Sequence, residues 1–417
     1  MNQIEKSINQ YQRVLLVWAY TGDTDIDSVI NELKSLVDTA GGEVIDVIIQ
    51  NRNTVDPFTV VGSGKLQEIA QYAESLNIDV VIFENELNPS QIKNIQEVIE
   101  CKVIDRTALI LDIFALHAVT AEGKLQVELA QLRYNLPRLM GSQTQLSRLG
   151  GGIGTRGPGE TKLETDRRYI KRRITNLEKQ INDLSEQRDD LRKRRKKNQM
   201  PCVAIVGYTN AGKSSLINKL TNSEIYVANM LFATLDPSAR RMEFDNGTAV
   251  IVIDTVGFIR NIPTGLVAAF KSTLEEAVFA DLILNICDIS NPEMQLQCDV
   301  TLKTLEELKC NAPIITVYNK SDLIDENTII SAFSTDKLLV SAKNGFGIEN
   351  LKARINNTLF GDSIYCKIFI PYTDSKSNSD LKAKSKIISE EFLDNGTLFK
   401  CNIVQAYLSD FSDYIIK

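Results

Sequence analysis

The chain has 417 residues, a net charge of −7, a single histidine and seven cysteines. Its 43 % hydrophobic and 24 % charged residues are ordinary for soluble globular proteins, and the length suits roughly two to four domains, each with its own core. No run of about 18 apolar residues occurs, the polar start "MNQIEKSINQ" is not expected to act as a signal peptide, and the cysteines form no C-x-x-C pair, which argues against zinc and a disulfide framework. A cytoplasmic monomer is expected, with no membrane role beyond weak peripheral contact.

The first 120 residues alternate two kinds of segment. "RVLLVWAY", "EVIDVIIQ", "DVVIFENE" and "CKVID" are short and rich in β-branched residues, as parallel strands buried on both faces should be. Between them, Asp25 to Thr39, Lys65 to Leu76 and Pro89 to Ile99 carry helical spacing, with Asn88 placed to cap the last. The expectation is an open α/β domain over 1–120. It contains "VGSGK" (Val61 to Lys65), which is not a phosphate loop. Thr59 stands where the first glycine would be, and Leu66 replaces the Ser or Thr that binds magnesium.

From Glu122 the period changes. Leu125, Leu129, Leu132 and Leu136 form one heptad seam; Ile170, Ile174, Leu177, Ile181, Leu184 and Leu191 form another. Two seams in succession predict an antiparallel helical hairpin over 121–198, its second helix about 30 residues and roughly 45 Å long. Between them lies a glycine-rich tip loop, 141–165. There Arg148, Arg156 and Lys162 stand among Gly151, Gly152, Gly157 and other glycines, so that exposed amides and guanidinium groups face the same space. Such a surface suits RNA phosphates; the alternative is a plain linker, although linkers are usually uncharged. From Asp166 to Lys197, thirteen Lys and Arg oppose six Asp and Glu. That run is either a solvated helix face or an RNA-facing one.

Residues 199–361 hold a nucleotide-binding pattern. "GYTNAGKS", Gly207 to Ser214, is a full G-x-x-x-x-G-K-[ST] between a buried strand and a helix. Gly207 and Gly212 let the amides of Tyr208, Thr209, Asn210 and Ala211 curl around phosphates, Lys213 reaches the β and γ oxygens, Ser214 offers a hydroxyl to Mg²⁺, and Ser215 follows on the helix. Asp254 ends the strand "AVIVID" in "IVIDTVGFIR", placed to hold magnesium through water, and Gly257 offers its amide to the γ-phosphate. "NKSD" places Asp322 to accept from guanine N1–H and the exocyclic amine, with Asn319 and Lys320 beside it. Ser341, Ala342 and Lys343 supply the contact to guanine O6. In "NMLFATLDPSAR", Thr234 is the switch threonine expected on Mg²⁺, and Phe232 precedes it near the nucleotide. GTP is the expected substrate. Phe258, after Gly257, occupies the position where many such enzymes keep a polar side chain to orient the attacking water. No catalytic residue is therefore assigned, and hydrolysis without a partner should be slow. Asn210 either stabilises the loop or serves as a K⁺ ligand.

Together, "VGSGK", "GGIGTRGPGETKLETDRR", "GYTNAGKSSLIN", "FATLDP", "DTVGFI" and "NKSD" resemble the HflX family of translational GTPases over almost the whole chain. The resemblance implies binding to the large ribosomal subunit and its rRNA, dissociation of stalled or idle ribosomes under stress, and a hydrophobic residue at the Phe258 position. Two other readings share the nucleotide motifs: a GTPase of ribosome assembly or tRNA modification, and a GTP-gated protein-binding switch. Residues 362–417 fit a small α+β unit only loosely and carry no assigned contact. His117 and Trp18 are expected to pack rather than react.

Overall fold

In the computed structural model the described residues are 11–22, 25–141, 158–197, 200–221, 232, 238–260, 276–324 and 337–416. They fall into two compact units, the first holding the residues up to Gln187 together with Phe232, the second the remainder.

The first unit is built on a parallel sheet of β1 (Gln12–Tyr20), β2 (Gly42–Asn51), β3 (Val80–Phe83) and β4 (Lys102–Asp105), in the order β2-β1-β3-β4. β1 is buried on both faces, which is why it reads as an unbroken apolar run. Leu15, Val17 and Ala19 join Ile69, Ala73 and Ile95 in the main core, while Trp18 packs with Val29 and Ile30. Those partners come from α1 (Ile26–Thr39), α2 (Ser63–Ser75) and α3 (Pro89–Gln96). Asn88 and Gln91 close a reciprocal capping box at the start of α3, with Pro89 in its first turn. "VGSGK" turns into α2 with Leu66 buried and Lys65 paired to Glu68. His117 ends α4 (Arg106–His117) half-buried, its Nδ1 2.8 Å from the Ile113 carbonyl oxygen.

The helical pair is α5 (Ala121–Gly141) and α6 (Pro158–Lys197). Asp105, fully buried, caps α4 through the Ala108 amide and receives the Tyr134 hydroxyl at 2.6 Å and Arg138 at 3.2 Å, which fastens α5 to the sheet. Arg173 forks onto both oxygens of Glu128, and Arg133 pairs with Glu178, so ion pairs join the two helices. The seam expected on α6 is its drier face: Leu177 is buried, and Ile170, Ile174, Ile181 and Leu184 are half-buried.

One boundary moves. α6 begins at Pro158 and spans 40 residues, about 60 Å, so 158–165 are helix rather than tip loop. Proline is pre-set for a first helical turn, and the Glu and Lys that follow are good helix formers.

The second unit contains a six-stranded sheet ordered β10-β9-β8-β5-β7-β6. Its strands are β5 (Cys202–Gly207), β6 (Ser238–Glu243), β7 (Ala249–Asp254), β8 (Leu282–Asp288), β9 (Ile314–Asn319) and β10 (Leu338–Leu339), all parallel except β6. α7 (Lys213–Thr221), α8 (Met294–Glu307) and α9 (Ile348–Phe360) flank it.

The C-terminal residues form an antiparallel sheet of β11 (Ser363–Pro371), β12 (Ser385–Leu393), β13 (Gly396–Val404) and β14 (Ile415–Ile416), ordered β12-β13-β11-β14, with α10 (Ser375–Lys384) and the single turn α11 (Gln405–Leu408). Ile368, Ile370, Leu381, Phe399, Cys401, Ile403 and Phe411 form its core. Val404 belongs to the six-stranded sheet's core, with Tyr407 packed against it. No described helix is long and apolar enough to cross a membrane.

Candidate functional site

The carboxyl ends of β5, β7, β8 and β9 meet at one edge of the parallel sheet, where ligands of open α/β folds bind. β5 turns into α7 through Gly207 to Gly212. Gly207 has φ +148°, and a Cβ there would lie 2.3 Å from the Ile286 carbonyl oxygen; one on Gly212, φ +86°, would lie 2.3 Å from the Asn319 amide nitrogen. The loop therefore accepts only glycine at these two places. Asn210 also takes a left-handed φ of +62° and is exposed.

Lys213 is 7 % exposed and donates to the carbonyls of Gly207, at 3.2 Å, and Tyr208, at 2.8 Å. Burial pulls its amine down to about 8, against the opposing pull of Asp254. Ser214 donates its hydroxyl to Asp254 at 3.0 Å, and the Asp254 carboxylate is fully buried. A hydroxyl and a carboxylate this close are hard oxygen donors of the kind Mg²⁺ selects, so these residues fit the ion. The motif spacing has Asp254 reach the ion through water; Thr234 lies outside the described residues.

The segment after Asp254 is stitched onto the phosphate loop. Phe258 donates its amide to the Gly207 carbonyl at 3.0 Å, and Thr209 donates to the Phe258 carbonyl at 2.8 Å. The Arg260 amide adds a bond to the Tyr208 hydroxyl at 2.9 Å. Phe258 itself is 1 % exposed, so its ring is part of the packing. Gly257 lies so close that a Cβ would sit 2.7 Å from Thr209 and 2.9 Å from the Lys213 ammonium.

The base end is a cavity of about 480 Å³ lined by Gly212, Ser215, Asn319, Lys320, Asp322, Ala342 and Lys343. Asp322 accepts from the Ser341 hydroxyl at 2.6 Å, which aims the carboxylate. Asn319 serves as a clasp. Its amide donates to Ala211 in the phosphate loop at 2.9 Å and its oxygen accepts from the Ala342 amide at 3.0 Å, tying the two loops that must close on one nucleotide. Lys320, at φ +64°, pairs with Asp288 at 2.6 Å. Sequence reasoning missed Asp288, and also Asn218, Lys219 and Leu323 in the cavity wall. The position of Asp288 at the end of the apolar strand "LILNICD" was the available signal.

Phe232, expected near the nucleotide, groups with the first unit, where its ring stands edge-on to Phe114, 4.7 Å between centroids. Arg148, Gly151, Gly152, Arg156 and Gly157 lie outside the described residues. Lys162 lies on α6.

A mostly parallel sheet, a phosphate loop closed by Lys213 and Ser214, and a serine-aimed aspartate for the base define a P-loop GTPase. Family models described as "GTP-binding GTPase N-terminal", "GTP-binding GTPase Middle Region" and "50S ribosome-binding GTPase" match residues 27–115, 117–195 and 202–320. The protein called GTPase HflX in Caldanaerobacter subterraneus subsp. tengcongensis is 45 % identical over 414 residues, covering 99 % of this chain and 96 % of that protein. GTPase HflX of Escherichia coli K12 is 40 % identical over 392 residues, 93 % of this chain and 92 % of its own. A GTP-binding protein from Sulfolobus solfataricus, solved with GDP, is 25 % identical with a TM-score of 0.43, over 84 % of this chain and 98 % of that one. The chain belongs to the GTPase HflX family and is a GTP hydrolase.

Proposed function

We propose that this GTPase binds the large ribosomal subunit through its rRNA, dissociates stalled or idle ribosomes, and hydrolyses GTP fast only when the ribosome completes its site. The observation that carries the last point is Phe258, a buried apolar ring where a water-orienting group is needed. Support for the partner comes from the near full-length likeness to GTPase HflX proteins and from the "50S ribosome-binding GTPase" match over 202–320. The four parts would be 1–120, the helical hairpin 121–198, the GTPase domain 199–361 and the C-terminal unit 362–417.

In this reading the loop amides and Lys213 hold the phosphate chain, Asp322 selects guanine, and the Gly257 amide meets the γ-phosphate. Ser214, Asp254 and Thr234 would hold Mg²⁺, which neutralises charge on the phosphoryl oxygens when bound. No side chain of the described site polarises the attacking water, so the partner supplies that order, a step worth about 10³ to 10⁵ in rate in related GTPases. Arg148, Arg156 and Lys162, with Gly151, Gly152 and Gly157, would contact rRNA. Asn210 would either stabilise the loop or coordinate K⁺ during hydrolysis; equal rates in KCl and NaCl at matched ionic strength leave only the first.

GTP turnover with and without purified large subunits, together with sedimentation of intact ribosomes in GTP, tests the proposal. A stimulated rate and conversion of whole ribosomes to subunits are expected. Equal rates and unchanged profiles refute it, and accumulation on immature particles would point to an assembly factor.

A further inference from the structure

The C-terminal sheet has two unlike faces. One carries Ile368, Ile370, Phe399, Cys401 and Ile403 and is packed with Leu381 of α10 and with Phe411. Residues that alternate with these point the other way, and the strand register sorts them into rows. Lys386, Asn402 and Tyr365 lie side by side across β12, β13 and β11; Ser389, Lys400, Lys367 and Ile416 form the next row, and Glu391, Leu398 and Phe369 the third. Tyr365 is 54 % exposed and Lys367 and Lys386 are exposed; Lys400, Asn402, Leu398 and Phe369 are half-buried, and Val404, at the end of the same alternation, is buried, so the face opens to solvent around Tyr365, Lys367 and Lys386.

Its chemistry is not that of an idle surface. Residues 362–417 contain seven lysines and eight acids, close to neutral, yet this face holds three lysines against one acid, Glu391. Two other lysines of this region are paired, Lys382 with Glu390 and Lys384 with Asp410. No ion pair among the described residues engages Lys367, Lys386 or Lys400. Aromatic rings stand among them: Tyr365 and Phe369 are four residues apart on β11, about 13 Å, with Lys367 between. A solvated antiparallel face is ordinarily polar. Unpaired cations interleaved with aromatic rings on an open sheet fit a polyanion whose flat groups can stack, as single-stranded nucleic acid does.

We propose that the open face of the C-terminal sheet is a binding surface for single-stranded RNA, Lys367, Lys386 and Lys400 meeting phosphates while Tyr365 and Phe369 stack on unpaired bases. An acidic protein would satisfy the lysines but leave the rings without a use. The surface is separate from the helical-hairpin contacts of the proposed function and does not depend on them.

The test uses the full chain and a 4-thiouridine-substituted pyrimidine oligoribonucleotide, without GTP or ribosomal particles, so failure here leaves the ribosome proposal standing. Photocrosslinks within 363–371 are expected. Lys367→Ala with Lys400→Ala should weaken binding about tenfold and flatten the log–log salt dependence by about 1.4, some 0.7 for each phosphate left without its lysine. Tyr365→Ala should weaken binding severalfold, whereas Tyr365→Phe, which keeps the ring, should bind as the parent does. Lys367 and Tyr365 are exposed and Lys400 is half-buried, and the circular dichroism of each variant should match the parent. Crosslinks only outside this sheet, or unchanged affinity and salt slope in the lysine variant, overturn the proposal. Equal binding of a polyglutamate peptide, blocked by the same lysine changes, overturns it in favour of an acidic protein partner.

Discussion

Lys213 must be an ammonium ion to hold phosphate, yet it is buried and titrates at about 8 instead of the ordinary 10.5. The folded state therefore binds fewer protons than the unfolded chain between those values, and folding is favoured as pH rises through them. Nucleotide binding runs the opposite way, because phosphate requires the charged form. GDP affinity should be level below about pH 7 and fall by roughly tenfold per pH unit above about 8, as isothermal titration would show. A flat profile would mean that the amine stays charged. At Phe258 the expectation is structural. Replacing it by glutamine places an amide where the ring is 1 % exposed, without an assigned partner. That should cost about 1–3 kcal/mol in urea unfolding and leave intrinsic GTP turnover unaccelerated. Faster turnover by Phe258→Gln would show that the missing polar group was the sole defect. Both residues were identified from the motif spacing, but Lys213's burial and the Phe258 backbone bonds come from long-range packing that spacing does not report.

Among elements, the clasp of Asn319 is the most consequential. It ends β9 and bonds backbone on two loops 108 and 23 residues away. Asn319→Ala should weaken GDP binding and lower stability by about 2 kcal/mol, while leaving the preference for guanine over adenine intact because Asp322 is untouched. A loss of base preference would place Asn319 on the base. At the far end of the unit, Asp374 caps α10. The Ser377 hydroxyl and amide and the Tyr414 hydroxyl hold its carboxyl at about 2, below the usual aspartate value of about 3.9. Its contribution is present above about pH 4 and is lost as pH falls toward about 2. The protection factors of α10 amides, corrected for intrinsic exchange at each pH, should fall across that window in the parent and be low throughout in Asp374→Ala. The Asn88 cap of α3 was readable before Pro89 because a local rule covers it, whereas the return bond from Gln91 was seen only in the structure. The start of α6 was misplaced because the glycine-rich composition outweighed the Pro158 signal.

Over the whole molecule, each unit has its own core, one around β1 and one around β5 and β8. Unfolding should accordingly show two transitions, and GDP at about 100 times its Kd should stabilise only the second unit, by about 2.7 kcal/mol. A single transition that shifts as one would show the units to be thermodynamically inseparable. Much was determined by the sequence alone: the four strands and intervening helices of the first unit, the two heptad seams, the phosphate loop, and the order of motifs that selects guanine. These follow from rules acting over a few residues, namely side-chain periodicity, capping, and glycine's tolerance of positive φ. Only the tertiary structure decided that Asp288 holds Lys320, that Asn319 joins two loops, that Phe232 lies on Phe114, and that lysines and rings from three strands share one open face of the C-terminal sheet. Each depends on which distant segments the fold brings side by side, and strand order and register are set by packing across the sheet rather than by local composition.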